Sequence, residues 1–432
     1  MVLVPTLDVK DKSMTTQQDQ TPDAKHTKSN HEAAARRSKA FGTFMLAALL
    51  SVLMLLGVGV FLLSAPNPGT ATSAAPSASV NIKRPENVVA LIAPRSVIDV
   101  DLLRDFETES GASVELVPYD NEESLLSIAG STSLNADVIL AAGTTIQQLL
   151  RNRNVGLNVL PARSIANLAR IDPALRTLAK KYDADGLYSV PLAWTAIGLG
   201  VNRADIISRL GASQKLDTWS LLFDPVIATK LNDCGVYSVD ASSLAFPSAL
   251  LALGLQPFSS TPNDVERASA AWESIRPKVT RFDTRILAET LATGKACLAL
   301  APASEVYRAR AMARDAAQSV DLAFMVPPDG TLLRMYMLAQ PRGAQNASRG
   351  AMLIDYLLKP EVSARMTNTH WVANAVPASQ LYVRQEIKDD PIIYPDIDAF
   401  RRLTPEENPT PAAISLRERF WQLMNSGGSP PP

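Results

Sequence analysis

The chain has 432 residues and a mass of 46.5 kDa, and 47% of the residues are apolar while 20% are charged. This composition is typical of a globular protein, and the length suffices for one or two sizeable cores. The formal net charge is −1 and the sequence pI is about 6.4. Nucleic acid and anionic bilayer surfaces are therefore not indicated as partners, because no excess of basic residues is present to bind them.

An uncharged apolar run from Phe41 to Ser64 is the first distinct feature of the chain. A helix of that length crosses a bilayer core of about 30 Å. Arg36, Arg37 and Lys39 precede the run, whereas no charge follows it before Lys83. By the positive-inside rule, the sequence predicts a transmembrane signal-anchor with the N-terminus in the cytoplasm and the remainder exported.

A cleaved signal peptide is the alternative for this segment. Signal peptides have a shorter apolar region of about 7–15 residues and a short leading segment. The small residues from Ala71 to Ala75 are compatible with cleavage, and a start at Met14 or Met45 would also favour a signal peptide. No cysteine follows the run closely, which excludes a lipoprotein anchor.

Composition divides the chain further. Residues 1–40 are polar and predict a disordered cytoplasmic leader, because they cannot bury enough apolar surface to order the chain. Residues 65–87, rich in Ala, Pro, Ser and Thr at their start, predict a linker. Residues 88–427 predict one exported globular body, and residues 428–432 a disordered tail.

Short apolar runs alternate with helical patterns in the exported body, which predicts an α/β fold with a largely parallel sheet. Asp172 followed by Pro173 predicts a helix start, as do the acidic residues at Asp99 and Asp101. Gly111 predicts the end of the helix that follows Asp101.

The sequence lacks the patterns that indicate catalysis. His370 is the one histidine of the exported body, so a histidine metal cluster or a Ser-His-Asp triad is excluded there. No phosphate-binding loop, HExxH or G-x-S-x-G motif occurs. We therefore expect no enzyme, catalytic residue, metal or cofactor. Cys234 and Cys297 are either a disulfide, which export permits, or two buried thiols.

Several segments, spaced along the exported body, resemble the periplasmic polyamine-binding proteins, which are the putrescine and spermidine receptors of ABC importers. They include IDPALRTLAKKYDADGLYSVPLAWTAIGLGVN, DTWSLLFDPVIATKLNDCGVYSVDA, TGKACLALAPASEVY, AMLIDYLLKPEVSARM and RERFWQLMNSG. The resemblance implies a two-lobed type II binding-protein fold behind the N-terminal transmembrane helix, with a small ligand held between the lobes. It also implies an inner-membrane permease as partner, a periplasmic location tethered to the inner membrane, and a monomer.

The same resemblance implies where the chain passes between the lobes, namely near Ile197, Met335 and Gln380. Lobe 1 would comprise about 88–197 and 336–380, and lobe 2 about 198–335 and 381–427. Members similar to putrescine receptors carry a disulfide at the positions of Cys234 and Cys297, so the resemblance favours pairing of the two cysteines.

The aligned ligand positions depart from the family. The box Trp-Ser-Asp-Tyr after the first strand reads Pro94, Arg95, Ser96 and Val97, so an aromatic group and an acid are absent. The Trp and Asp that open a later helix match Pro302 and Glu305, which keeps one carboxylate.

Further differences occur on the returning strand, where an aromatic residue and an Asp match Arg334 and Tyr336. A family acid falls at Ser243 or Leu244. Two arginines and few acids predict weaker binding of a diamine and favour an anionic ligand, which guanidinium groups bind well. The alternative is that Arg95 and Arg334 reach solvent and contact no ligand.

Two candidate ligand-binding residues remain. Thr144 follows Gly143 at a predicted helix start, where hydroxyl and backbone donors bind anions. Trp194 either lines the cleft or belongs to the core.

The sequence therefore predicts a solute-binding protein of the polyamine-receptor type with an altered pocket. The alternative is a membrane-tethered sensor or scaffold that uses the same fold to contact a partner protein without transport.

Overall fold

A computed structural model of the chain describes residues 83–98, 100–131 and 134–426. The predicted leader, transmembrane segment and tail, and almost all of the predicted linker, lie outside the described residues. Among the helices that are described, none combines the length and the apolar character needed to cross a bilayer.

The strands of the described domain are short apart from β4 and β9. They are β1 Val88–Pro94, β2 Ser113–Tyr119, β3 Val138–Ala142, β4 Ser189–Asn202, β5 Val236–Ser238, β6 Arg281–Phe282, β7 Leu298–Pro302, β8 Leu322–Met325, β9 Thr331–Ala339, β10 Ala373–Asn374 and β11 Leu403–Pro405.

Helices follow most of these strands, as the alternation of patterns predicts. They are α1 Val100–Ser110, α2 Glu122–Ser131, α3 Gly143–Arg151, α4 Pro173–Ala179, α5 Arg203–Leu210, α6 Ser220–Phe223, α7 Pro225–Lys230, α8 Ser242–Ala252, α9 Pro262–Ile275, α10 Leu287–Ala292, α11 Ala303–Asp315, α12 Ala347–Leu357, α13 Pro360–His370, α14 Gln385–Lys388, α15 Ile397–Phe400 and α16 Pro411–Asn425.

One mixed sheet connects the whole domain in the order β2-β1-β3-β9-β4-β7-β5-β6. The outer strands pair in parallel at both ends, β1 with β2 and β3 on one side and β5 with β6 and β7 on the other. The central strands β9 and β4 pair antiparallel with each other, β9 pairs antiparallel with β3, and β4 pairs antiparallel with β7. Two parallel α/β units are thus joined through an antiparallel centre.

Strands β4 and β9 belong to both units. The first part of β4 pairs with β9, from Ser189 opposite Ala339 to Ile197 opposite Leu332, and its last part pairs with β7 and β8. A chain that enters on one unit and leaves on the other produces a two-lobed molecule. The predicted type II architecture is therefore confirmed for the described domain, while the predicted residue limits of the lobes stay predictions.

Local signals in the sequence act as expected. The Asp172 carboxylate accepts hydrogen bonds from the amides of Ala174 and Leu175, so it caps α4. Gly111 has a φ of 66°, a left-handed conformation that ends α1 without steric strain. The strand interiors are almost entirely buried, which is typical of sheets covered by helices on both faces.

The disulfide implied by the resemblance is present. Cys234 and Cys297 are bonded, with their Cα atoms 5.5 Å apart and a sequence separation of 63. The bond ties the segment before β5 to the start of β7, two strands that pair in parallel. It therefore reinforces the parallel unit that contains β5 and β7.

Candidate functional site

A cavity of about 370 Å³ lies between the two lobes, with α2 and α3 on one side and α8 and α16 on the other. Its lining is Glu122, Glu123, Leu126, Ser127, Thr144, Thr145, Gln148, Ser243, Phe258, Glu406, Glu407, Asn408, Ile414, Arg417, Glu418 and Gln422. Five of these side chains are glutamates and one is an arginine. The expectation of a cleft with few acids, which came from aligned positions only, is therefore wrong for this cavity.

Three of the five glutamates form ion pairs. Glu406 pairs with Arg334, Glu407 with Lys181, and Glu418 with Arg417. The pair of Arg334 is the most buried, with both side chains less than a tenth exposed. Its Nε donates to Oε1 of Glu406 at 2.8 Å and its Nη2 to Oε2 at 3.2 Å, which is the bidentate geometry of a strong pair.

The other two glutamates, at the first turn of α2, are in no ion pair within the part of the chain that the structure describes. Oε1 of Glu122 accepts hydrogen bonds from the Tyr119 hydroxyl at 2.8 Å and from the Ala142 amide at 3.2 Å. Its Oε2 is buried without a hydrogen-bond partner among the described residues, although Glu122 itself is only 3% exposed. A buried carboxylate oxygen without a donor is costly, so this position favours a cationic or hydrogen-bond-donating group.

Glu123 connects the lobes. Its Oε1 accepts a hydrogen bond from the Ser243 amide at 2.9 Å, at the start of α8. Its Oε2 is also buried without a hydrogen-bond partner among the described residues. The two neighbouring glutamates thus present two carboxylate oxygens to the cavity region that no described donor satisfies.

Burial dominates the ionisation of these groups. It raises the pKa of Glu122, against the opposing effects of the Arg334 charge, of the nearby Thr145 hydroxyl and of the hydrogen bond from Tyr119. It likewise raises the pKa of Glu406, although the charge of Arg334 opposes the shift. The charged form of Glu122, which has no ion-pair partner among the described residues, is therefore disfavoured.

This electrostatic imbalance predicts a pH dependence of stability. A carboxyl whose pKa is higher in the folded than in the unfolded state binds more protons when folded, so stability falls as pH rises from the ordinary carboxyl pKa through the raised one. We expect wild type to lose stability relative to Glu122→Gln as pH rises above the ordinary carboxyl pKa of about 4.3 toward neutral pH, as measured by thermal unfolding of both proteins without ligand. A constant difference between them over this range would contradict the prediction.

The C-terminal segment after β11 reaches lobe 1 through several contacts. Glu406 accepts a hydrogen bond from the Thr144 hydroxyl at 3.4 Å, and its backbone oxygen accepts one from the Tyr182 hydroxyl at 2.9 Å. A Cβ on Gly143 would lie 2.3 Å from the Tyr182 ring, so only glycine permits this approach at the start of α3. These contacts hold Glu406 at the wall of the cavity.

The structure brings part of the predicted site together. Thr144 and Ser243 line the cavity, and the Ser243 hydroxyl lies 3.4 Å from Nη2 of Arg334. Tyr336 is buried nearby, where desolvation raises its pKa to about 12 and a hydrogen bond with Ser96 opposes the shift.

Three other predicted residues lie apart from this cavity. The Arg95 side chain is 62% exposed and pairs with Asp120 at 3.0 Å. Glu305 is buried and pairs with Arg308 on its own helix, α11. Trp194 is buried and packs edge-on against Phe400, with ring centroids 5.5 Å apart. A direct ligand contact by these three stays a prediction.

Sequence reasoning missed Glu122, Glu123, Glu406, Glu407, Arg417 and Glu418. A usable signal existed for the first two, which directly follow a strand of a parallel unit, since ligands bind at the carboxyl ends of such strands. For the C-terminal residues no local signal exists, because their position depends on the pairing of β11 with β9.

A second cavity, of about 380 Å³, is lined by residues of α11 together with Arg203, Trp371 and Asp390. Its cations already have partners: Arg203 pairs with Asp321, and Arg310 lies over the ring of Tyr307. It therefore offers a weaker electrostatic reason for binding a ligand than the acidic cavity does.

Residues 101–395 match the family of bacterial extracellular solute-binding proteins. The chain belongs to this family. The putrescine-binding periplasmic protein PotF of Escherichia coli is 29% identical over 331 residues, which is 76% of this chain and 88% of PotF. The spermidine/putrescine-binding periplasmic protein of the same organism is 24% identical, over 76% of this chain and 88% of that protein. The predicted resemblance to polyamine-binding proteins is therefore confirmed.

Solved structures of other proteins share the fold. A putative spermidine/putrescine ABC transporter protein from Listeria monocytogenes superposes with a TM-score of 0.70 at 21% identity, over 78% of this chain and 99% of the other. AgtB of Agrobacterium tumefaciens, solved with agropinic acid, gives a TM-score of 0.57 at 14% identity, over 79% of this chain and 97% of that one. Such likeness establishes the fold, and the side chains of the cavity must decide the ligand.

Proposed function

We propose that the chain is the extracytoplasmic receptor of an ABC importer, and that it binds a small organic cation of the polyamine class between its lobes. The observation that carries the proposal is the buried Oε2 of Glu122, without a hydrogen-bond partner among the described residues and placed at an acidic interlobe cavity. A ligand ammonium group supplies both the charge and the hydrogen-bond donors that this oxygen lacks. In this role the protein acts by binding and release and not by catalysis.

The charge balance supports a ligand with two positive charges. Glu406, Glu407 and Glu418 have cationic partners, whereas Glu122 and Glu123 have none among the described residues. Two uncompensated carboxylates match the two ammonium groups of a diamine such as putrescine. PotF, which is similar along most of this chain, is named for binding putrescine.

An anionic ligand is the competing proposal, and it depends on Arg95 and Arg334. The guanidinium of Arg334 is already occupied by Glu406, and the side chain of Arg95 is largely exposed. Neither arginine therefore offers an unpaired buried charge to an anion. Arg417 lines the cavity and has a buried Nε without a hydrogen-bond partner among the described residues, but its charge is balanced by Glu418 at 3.3 Å. The cation is therefore the better supported choice.

A thermal-shift comparison on the full chain in mild detergent tests the proposal. Putrescine at a hundredfold excess over its dissociation constant should stabilise the fold by about 2.7 kcal/mol, or about 4 °C for a domain of this size. Sodium chloride of equal ionic strength is the control, and succinate and phosphate represent anions. Stabilisation by an anion alone would overturn the proposal, and no response to any of them would favour a sensor or scaffold that contacts a partner protein.

A further inference from the structure

Arg334 belongs to the most deeply buried ion pair at the cavity. Its side chain is 7% exposed and that of its partner Glu406 is 3% exposed. By contrast, the side chain of Lys181 is 37% exposed in its pair with Glu407. Solvent ions therefore have little access to Arg334, and its charge is balanced by that of Glu406.

The pair lies where a ligand charge could otherwise bind. Glu406 lines the cavity and accepts a hydrogen bond from Thr144 on lobe 1, while Nη2 of Arg334 reaches Ser243 on lobe 2. The charge of Arg334 also acts on Glu122, which lowers the pKa of that carboxyl against the effect of burial. The Arg334 guanidinium thus acts both on Glu406 and on Glu122, which is one of the two glutamates proposed to bind the ligand.

We propose that Arg334 is a built-in cation that fills one of three carboxylate positions at the cavity and so limits the ligand to two positive charges. The inference rests on the proposed function, because it assigns the number of charges that the same cavity accepts. Glu406 is the position that Arg334 occupies, and Glu122 and Glu123 are the positions left for the ligand. Arg334 is then a specificity-determining residue, and removing it uncovers a third carboxylate.

The substitution Arg334→Met tests this assignment, because methionine keeps an extended side chain and removes the charge. The measurement is the ratio of the dissociation constants of putrescine, with two amines, and spermidine, with three, obtained by calorimetry on the full chain. In wild type we expect putrescine to bind more tightly. In Arg334→Met the ratio should shift toward spermidine by at least tenfold, since the third ammonium replaces the missing guanidinium at Glu406.

Two further variants define the outcome. Arg334→Met combined with Glu406→Gln removes both charges and should return the ratio to that of wild type. Arg203→Met, which breaks an arginine–carboxylate pair with Asp321 away from this cavity, should leave the ratio unchanged. If Arg334→Met is too unstable for calorimetry, its melting temperature with each polyamine gives the same comparison, and spermidine should raise it more.

The possible failures can be told apart. If wild type binds putrescine but Arg334→Met shows an unchanged ratio, or melts alike with both polyamines, Arg334 is not a substitute for a ligand charge. If wild type binds neither polyamine, the proposed function itself fails.

Discussion

Glu122→Gln is expected to weaken putrescine binding by about ten- to a hundredfold while making the ligand-free protein more stable. A hydrogen bond to a charged group contributes about 1.5–3 kcal/mol, and each 1.4 kcal/mol is a factor of ten in affinity. Glutamine keeps an oxygen that can accept from Tyr119 and Ala142, as Oε1 does now. It removes the charge that burial disfavours, so the cost of that charge disappears from the empty receptor.

These two opposite effects distinguish a ligand-binding carboxylate from a structural one. Replacing a structural carboxylate would lower the stability of the protein, and it would change the affinity only by disturbing the fold. Calorimetry gives the affinity, and thermal unfolding without ligand gives the stability. Glu361→Gln is a matched control, because Glu361 also lies in the first turn of a helix but is exposed. An unchanged affinity in Glu122→Gln would remove the basis of the proposed site.

Glu123→Gln is a less direct test of the same site. Glu123 accepts a hydrogen bond from the Ser243 amide of the opposite lobe, so its replacement also changes the contact between the lobes. A loss of affinity in this variant would combine the missing charge with altered closure. The hydrogen bonds of Glu122 lie within lobe 1. Glu122→Gln therefore measures the effect of the missing charge without a change in the contact between the lobes.

Much of the fold follows from local patterns in the sequence. The alternation of apolar runs and helical segments predicts the α/β units, and single residues such as Asp172 and Gly111 mark helix ends as expected. These features depend on chemistry within a few residues, which a sequence displays directly. The disulfide was instead implied by resemblance, because the proximity of Cys234 and Cys297 depends on the parallel pairing of β5 with β7.

The site was harder to predict because its charges meet through long-range pairing. From the sequence, Arg334 is an arginine at a ligand position, and it favours an anion. In the structure its charge is balanced by Glu406, which arrives because β11 pairs with β9. Whether a binding site favours a cation or an anion therefore depends on which of its charged side chains are already paired. Tertiary structure determines that pairing.

Glu406→Gln is expected to destabilise the folded protein by about 3–5 kcal/mol, because it leaves the buried guanidinium of Arg334 without its bidentate partner. Combining it with Arg334→Met should restore most of that loss, since neither side chain then carries an uncompensated buried charge. Chemical unfolding of the two single variants, the double variant and wild type measures this coupling.

The adjacent residue provides the control for this measurement. Glu407 also pairs with a cation, but its side chain is 49% exposed and that of Lys181 is 37% exposed. Exposed ion pairs contribute only about 0–1 kcal/mol, because water solvates both partners when they separate. Glu407→Gln should therefore change stability by less than about 1 kcal/mol. Equal effects of the two substitutions would mean that Glu406 is not held in a buried pair, and the assignment of Arg334 as a built-in cation would fail with it.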